Sequence, residues 1–290
     1  MADAESSLRF DAELLPGDAR QTRRRSMYRR ILVGYKDTEQ GLDALELGRI
    51  LAQATRAEMF IATAPTGKTG GLAQLARSEG ADLIVLGSTH RGSIGRVMPG
   101  ATVERLLGEA PCAVAVAPVG FGRPADGSLG WRPLSGDVED VGMRVIGVGF
   151  DGSRAAREAL DIAAELALHN GAALRVYAIA PRMSTHPGAL ESQQPGTPSR
   201  AETLREQLHD AVAELPAEAR ALPIFLWGAP SVELLAAAEN DVDMMILGSR
   251  GGGPMRRALY GSVSGTVIQD AHCPVLISPA GVKAPIEALV

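Results

Sequence analysis

Apolar and polar positions alternate along this chain in two registers. Short runs of Val, Ile, Leu and Met, such as ILVGY, LIVLG, VIGVGF and MMILG, stand apart from longer stretches such as AREALDIAAELALHN. In the longer stretches apolar residues recur every three or four positions. The short runs predict buried strands of a parallel sheet, and the longer ones amphipathic helices packed on it. In the second half this gives a strand near 144–150, helix 154–169, strand 173–179, helix 201–215, strand 221–227, helix 231–239, strand 243–248, helix 260–271 and strand 274–278. The first half shows strands near 31–35, 58–63, 83–87 and 113–117. Alternation of this kind predicts an α/β architecture with helices on both faces of the sheet. Any ligand is expected at the carboxyl ends of the strands, where strand order reverses.

The two halves are copies. ADLIVLGSTHRGSIGRVMPGATVERLLGEAPCAVAVAP, from Ala81, aligns without gaps to VDMMILGSRGGGPMRRALYGSVSGTVIQDAHCPVLISP, from Val242. Gly87 then falls opposite Gly248 and Cys112 opposite Cys273, both at an offset of 161, whereas the opening strands pair Val33 with Val148 at only 115. The second copy therefore holds 46 more residues, which spell a polar loop, a helical AETLREQLHDAVAEL and a strand-like ALPIFLW. The first copy lacks that helix and that strand. GFGRPADGSLGWRPLSGDVEDVG, between the copies, is rich in Gly, Pro and Asp and reads as a linker. The expected organisation is a disordered tail (1–28), a shortened domain (29–118), a linker (119–142), a complete domain (143–282) and a C-terminal tail (283–290).

Composition narrows the function. The 290 residues carry a formal net charge of −5, which argues against a general nucleic-acid binder, since such proteins need a basic surface to displace counterions. RQTRRRSMYRR is the exception, but it lies in the polar tail with no apolar core after it, so it reads neither as a signal peptide nor as an anchor. No apolar stretch reaches the roughly 18 residues of a membrane helix. With two cysteines and no export signal, the expected location is the cytoplasm. The five histidines lack metal-ligand spacing, and the hydrolase elbow G-x-S-x-G and the zinc motif H-E-x-x-H are absent. GVGFDG satisfies G-x-G-x-x-G at Gly147, Gly149 and Gly152, yet the next strand ends in Ala180 and Pro181, with no carboxylate for a dinucleotide's ribose.

GSRGGGPMRRALYGSVS, Gly248 to Ser264, carries the candidate chemistry. Glycines let backbone N–H groups approach a ligand, and a helix beginning near Gly261 aims further unpaired N–H groups at the same place, which suits a phosphate. A surface loop closed by an ordinary helix cap is the other reading of this stretch alone. The spacing G-x2-G-x9-G-[ST] at Gly248, Gly251, Gly261 and Ser262, the acidic turn VGFDGS at Asp151, Gly152 and Ser153, and the closing strand CPVLISP together resemble the universal stress protein family. The resemblance covers about 140 residues of the second copy and about 90 of the first.

The resemblance implies two tandem doubly wound parallel-sheet domains, Rossmann-like and of the adenine nucleotide alpha hydrolase-like kind, the first lacking one helix and one strand. It implies an adenine-nucleotide site, for ATP with or without Mg2+, in a protein that acts as a non-catalytic switch in a stress response. Carried over residue by residue, Gly248, Arg250, Gly251, Gly261, Ser262, Val263 and Ser264 line phosphate and ribose, with Asp151, Gly152, Ser153, Ile179 and Leu247 completing the site. A nucleotide-free scaffold for protein–protein interaction and a slow ATPase are the alternatives. The family's pairing through the closing strands, here CAVAVA and CPVLIS, implies an intramolecular pseudo-dimer with room for further homo-oligomerisation. The first copy departs from the motif, with His90 for the second glycine, Ala101 for the final Ser and Lys36 for Asp151. It is expected to have a packing role. PRMSTHPGALESQQPGTPSRA, beside the expected ligand, is either a lid or plain disorder.

Overall fold

Strands whose two faces are both covered must be apolar throughout, and AVAVA at Ala113–Ala117 and MMIL at 244–247 are buried at every residue. In the computed structural model the chain is described over residues 9–10, 28–63, 70–89, 95–121, 143–182, 199–249 and 262–279. In chain order the first half contains β1 (Arg9–Phe10), β2 (Arg30–Tyr35), α1 (Glu39–Thr55), β3 (Glu58–Thr63), α2 (Gly70–Glu79), β4 (Leu83–Gly87), α3 (Ala101–Glu109) and β5 (Ala113–Ala117). The second half contains β6 (Val145–Phe150), α4 (Arg154–Asn170), β7 (Ala173–Ala180), α5 (Arg200–Ala213), β8 (Ala221–Trp227), α6 (Pro230–Asn240), β9 (Met244–Ser249), α7 (Ser262–Asp270) and β10 (Val275–Pro279). Helix α4 shows how local sequence sets these limits. The Ser153 hydroxyl caps its start by accepting from the Ala156 amide at 3.2 Å, and Gly171, at φ 64°, ends it in the left-handed region.

The strands form one sheet in the order β1-β3-β2-β4-β5-β10-β9-β6-β7-β8. Each half is doubly wound and parallel: β2 lies between β3 and β4, and β6 between β7 and β9, so strand order reverses beside β2 and beside β6. The halves meet where β5 and β10 pair antiparallel, Val114 opposite Ile277, Ala115 opposite Leu276 and Val116 opposite Val275. This pairing closes both inner edges and keeps those valines and isoleucine dry, each full burial contributing about 1.5–3 kcal/mol. Both core layers draw on both halves. One joins Ile31, Val33 and Leu47 to Ile146, Val148 and Leu174; the other joins Leu32, Ile84 and Val114 to Met245, Val267 and Val275.

The repeat persists at the level of single side chains. Asp82 Oδ2 accepts the amides of Arg29 and Arg30 at 2.9 and 3.0 Å, and Asp243 Oδ2 accepts those of Arg144 and Val145 at 2.9 Å each. Each carboxylate thus fixes the start of its half's first long strand, β2 or β6. Across the joint, the Val97 amide donates to the Ala271 carbonyl at 2.7 Å, and Arg96 Nε hydrogen-bonds His272 Nε2 at 2.9 Å.

Two boundaries differ from the expected ones. Arg9 and Phe10, inside the expected tail, pair antiparallel with Phe60 and Met59 on the outer edge of β3, and Tyr28 is buried. An open edge recruits backbone donors, and among the described residues β1 takes the place beside β3 that β8 holds beside β7. Val119 and Phe121, read as the beginning of the linker, are buried as well, and the Gly120 amide donates to buried Asp43 at 2.9 Å. Most of the tail and linker, the loop 183–198 and the C-terminal tail lie outside the described residues.

Candidate functional site

Because β6, β7, β8 and β9 run parallel, their carboxyl ends open on one edge, and each following helix begins there. That edge holds a cavity of about 680 Å3 at the reversal of strand order between β6 and β9. Its floor is made by the strand ends: Phe150 closing β6 and Asp151 after it, Ile179 to Pro181 at β7, Trp227 at β8, and Leu247 and Gly248 in β9. Four helices contribute their first turns, through Ser153 before α4, Ser199 to Ala201 at α5, Pro230 of α6, and Val263 and Ser264 of α7. The positive ends of four helix dipoles therefore converge on one space, each favouring an anion by roughly 0.3–1 kcal/mol at the surface.

Of the residues expected from sequence, the fold brings Asp151, Ser153, Ile179, Leu247, Gly248, Val263 and Ser264 together around this cavity. Ser262 opens α7. Arg250, Gly251 and Gly261 lie outside the described residues, as does His90 in the first half. Gly152 does not border the cavity. It sits at φ 76°, in the left-handed region that favours glycine, so this glycine shapes the turn after β6. Gly248 has a packing duty that sequence did not reveal: a Cβ on it would collide with the Ala155 carbonyl where α4 meets β9. Gly87 stands in the same relation to the Gln40 carbonyl of α1, so this glycine is needed by the fold in both halves.

The polar groups at the turn after β6 are partly committed. Asp151 Oδ1 accepts the Ser153 amide at 3.0 Å, and the Ser153 hydroxyl accepts the Ala156 amide, which leaves its proton to donate elsewhere. Arg200 is the one cation among the described lining residues and Asp151 the one carboxylate. Burial pushes the Tyr177 phenol above its ordinary range, so it presents a neutral wall. Cys112 and Cys273 are buried beside the closing strands. Burial raises Cys112 to about 12 and drives Cys273 up too, so both are protonated core residues rather than thiolate nucleophiles.

Sequence reasoning missed the roof and one end of the cavity. Ser199, Arg200, Thr203, Leu204 and Gln207 of α5, with Trp227 of β8, all border it. A signal for the roof was present. Ser199 and Glu202 form a capping box, the Glu202 amide donating to Ser199 Oγ at 3.2 Å and the Ser199 amide to Glu202 Oε2 at 2.6 Å. The Ser199 amide, with the Ser199 hydroxyl, hydrogen-bonds the Glu202 carboxylate and holds it below the usual carboxylate range.

The sequence model of the Universal stress protein family matches residues 67–118 and 142–279. The chain belongs to the universal stress protein family. A universal stress protein of Thermus aquaticus is 33% identical over 144 residues, which cover 47% of this chain and 98% of that protein. One from Mycobacterium bovis is 33% identical over 149 residues, 46% of this chain and 47% of the relative, so the match spans about half the length of that relative. The crystal structure of a putative universal stress protein from Pseudomonas aeruginosa overlays 87% of this chain and 93% of its own at a TM-score of 0.57 and 18% identity. That likeness extends the shared fold over both halves. The family match begins after β3, yet the topology shows that β2, α1 and β3 open a universal stress protein half as β6, α4 and β7 open the other. Among the described residues no helix is long and apolar enough to cross a membrane.

Proposed function

We propose that this universal stress protein binds one adenine nucleotide, ATP, in its second half, and acts as a non-catalytic switch whose surface changes with occupancy. The observation that carries the reading is the convergence of Asp151, Ser153, Gly248, Val263 and Ser264 on a cavity of about 680 Å3 at the reversal of strand order. That volume lies in the range of small-molecule pockets. The motif residues make the cavity fit the ligand. The start of α7 and the Ser153 hydroxyl would donate to phosphate oxygens, Asp151 would lie beside the ribose, and Ile179 with Tyr177 offers an apolar seat for a base. Gly251, Gly261, Ser262 and Arg250 belong to the same proposal through the glycine motif.

Hydrolysis would need a base free to activate water. Asp151, the one carboxylate among the described lining residues, is assigned to the ribose rather than to a water at the phosphates, which favours the switch over the slow ATPase. The test is direct: denature the purified protein, identify any released nucleotide, and titrate stripped protein with ATP by calorimetry. Micromolar or tighter binding is the expected result; a stripped, folded protein that takes up no ATP at millimolar concentration would overturn the reading.

A further inference from the structure

The strand ends beneath the cavity change character from one side to the other. At β6 and β9 they offer small or polar groups, Asp151, Ser153 and Gly248, whereas at β7 and β8 they offer Tyr177, Ile179 and Trp227. Trp227 stands out among them. It is 42% exposed, and the other large apolar side chains left exposed among the described residues, Leu42, Leu222 and Val232, do not border the cavity. The indole is also braced. Its ring lies edge-on to Phe225, centroids 5.6 Å apart at 82°, and Phe225 is itself covered by the Arg205 guanidinium at 4.4 Å. Arg182 Nε donates to the Trp227 carbonyl at 3.3 Å, tying the strand end to the chain leaving β7. A held, partly exposed aromatic ring at the apolar end of a cavity is built to receive a flat apolar surface.

We propose that Trp227 is the platform on which the ligand's aromatic base stacks, and that the ligand lies with its base toward β8 and its phosphates toward α7. This rests on the nucleotide reading and assigns the ligand's direction and the residue that separates a nucleotide from a bare polyphosphate. Stacking would then supply selectivity for an aromatic base, while the helix starts at the other end hold the anion.

The chain has two tryptophans, so Trp131→Phe leaves Trp227 as the sole indole reporter. In that background ATP should quench the Trp227 emission, and inorganic tripolyphosphate, which has no base, should not. Trp227→Ala should weaken ATP binding about tenfold or more while leaving tripolyphosphate affinity unchanged, and Trp227→Phe should restore most of the loss. ATP binding with unchanged emission and full affinity in Trp227→Ala would overturn the platform and leave the nucleotide site standing. Equal loss of ATP and tripolyphosphate in Trp227→Ala would also overturn it, since that marks a structural role. A parent that binds no ATP would sink the platform and the nucleotide site together.

Discussion

In both halves a glycine at or next to the end of a strand packs against the first helix, Gly87 of β4 on α1 and Gly248 of β9 on α4, and in both an aspartate pins the first long strand, Asp82 on β2 and Asp243 on β6. Around the reversal of strand order the halves part. The second half carries β8 beyond β7 and α5 above it, and these supply Trp227, Ser199, Arg200 and Gln207 to the cavity. Among the described residues the first half has neither element, and the outer edge of β3 carries the two residues of β1. What the halves share is therefore what the sheet and its first helix require. What only the second half holds, the acidic turn, the full glycine motif and the α5 roof, is what a ligand would require. Gly248 teaches the difference: it belongs to the glycine motif, yet its partner Gly87 persists where His90 and Ala101 replace the motif's second glycine and its serine.

The largest effect should come from breaking a shared feature. Gly248→Ala drives a methyl group into the Ala155 carbonyl, and Gly87→Ala does the same at Gln40, so each should lower stability by about 3 kcal/mol. Urea unfolding of both variants would show it. A Gly248→Ala protein that loses ATP binding at full stability would mean that the glycine serves the ligand alone. Next, Asp243→Ala leaves the amides of Arg144 and Val145 without their acceptor in a buried place and should cost about 2 kcal/mol. Asp82→Ala, at a less buried site, should cost less in the same unfolding assay.

A smaller effect separates the halves by pH. Glu202 is held below its ordinary pKa by Ser199, so its contribution is complete above the unfolded carboxylate range and fades as pH falls through the folded value. Protection against amide hydrogen exchange, measured relative to the intrinsic rate at each pH, should therefore fall at the first turn of α5 below about pH 4, a normal carboxylate pKa, before it falls at α1, which has Thr38 at its cap and no such box. Glu202→Gln should remove the difference between neutral and acid conditions. Equal acid sensitivity in parent and Glu202→Gln would show that the capping box does not hold the roof.

Much of this was legible from sequence because hydrophobic period and repeat offset act locally. The limits of β3, β4 and β8 agree with the expected ones, and the missing helix and strand of the first half follow from the offsets of 161 and 115. The pairing of β5 with β10 came from the family resemblance, since nothing local in AVAVA names its partner. Long-range contacts escaped notice for the same reason. Nothing around Gly248 announces the Ala155 carbonyl, and nothing in ALPIFLW places Trp227 on the cavity that Asp151 borders, because β8 and β6 are joined only through β7 of the sheet. The Arg9–Phe10 strand was hidden because two residues carry no period.

The central claim is that one of the two halves binds a nucleotide, and calorimetric stoichiometry tests it most directly. Stripped parent protein titrated with ATP should bind one nucleotide per chain. Gly251→His, which places the first half's residue 90 side chain into the complete motif, should weaken binding at least tenfold with the fold intact, while His90→Ala should leave it unchanged. Two equivalent sites per chain, or a Gly251→His protein that binds ATP as well as the parent, would contradict the account.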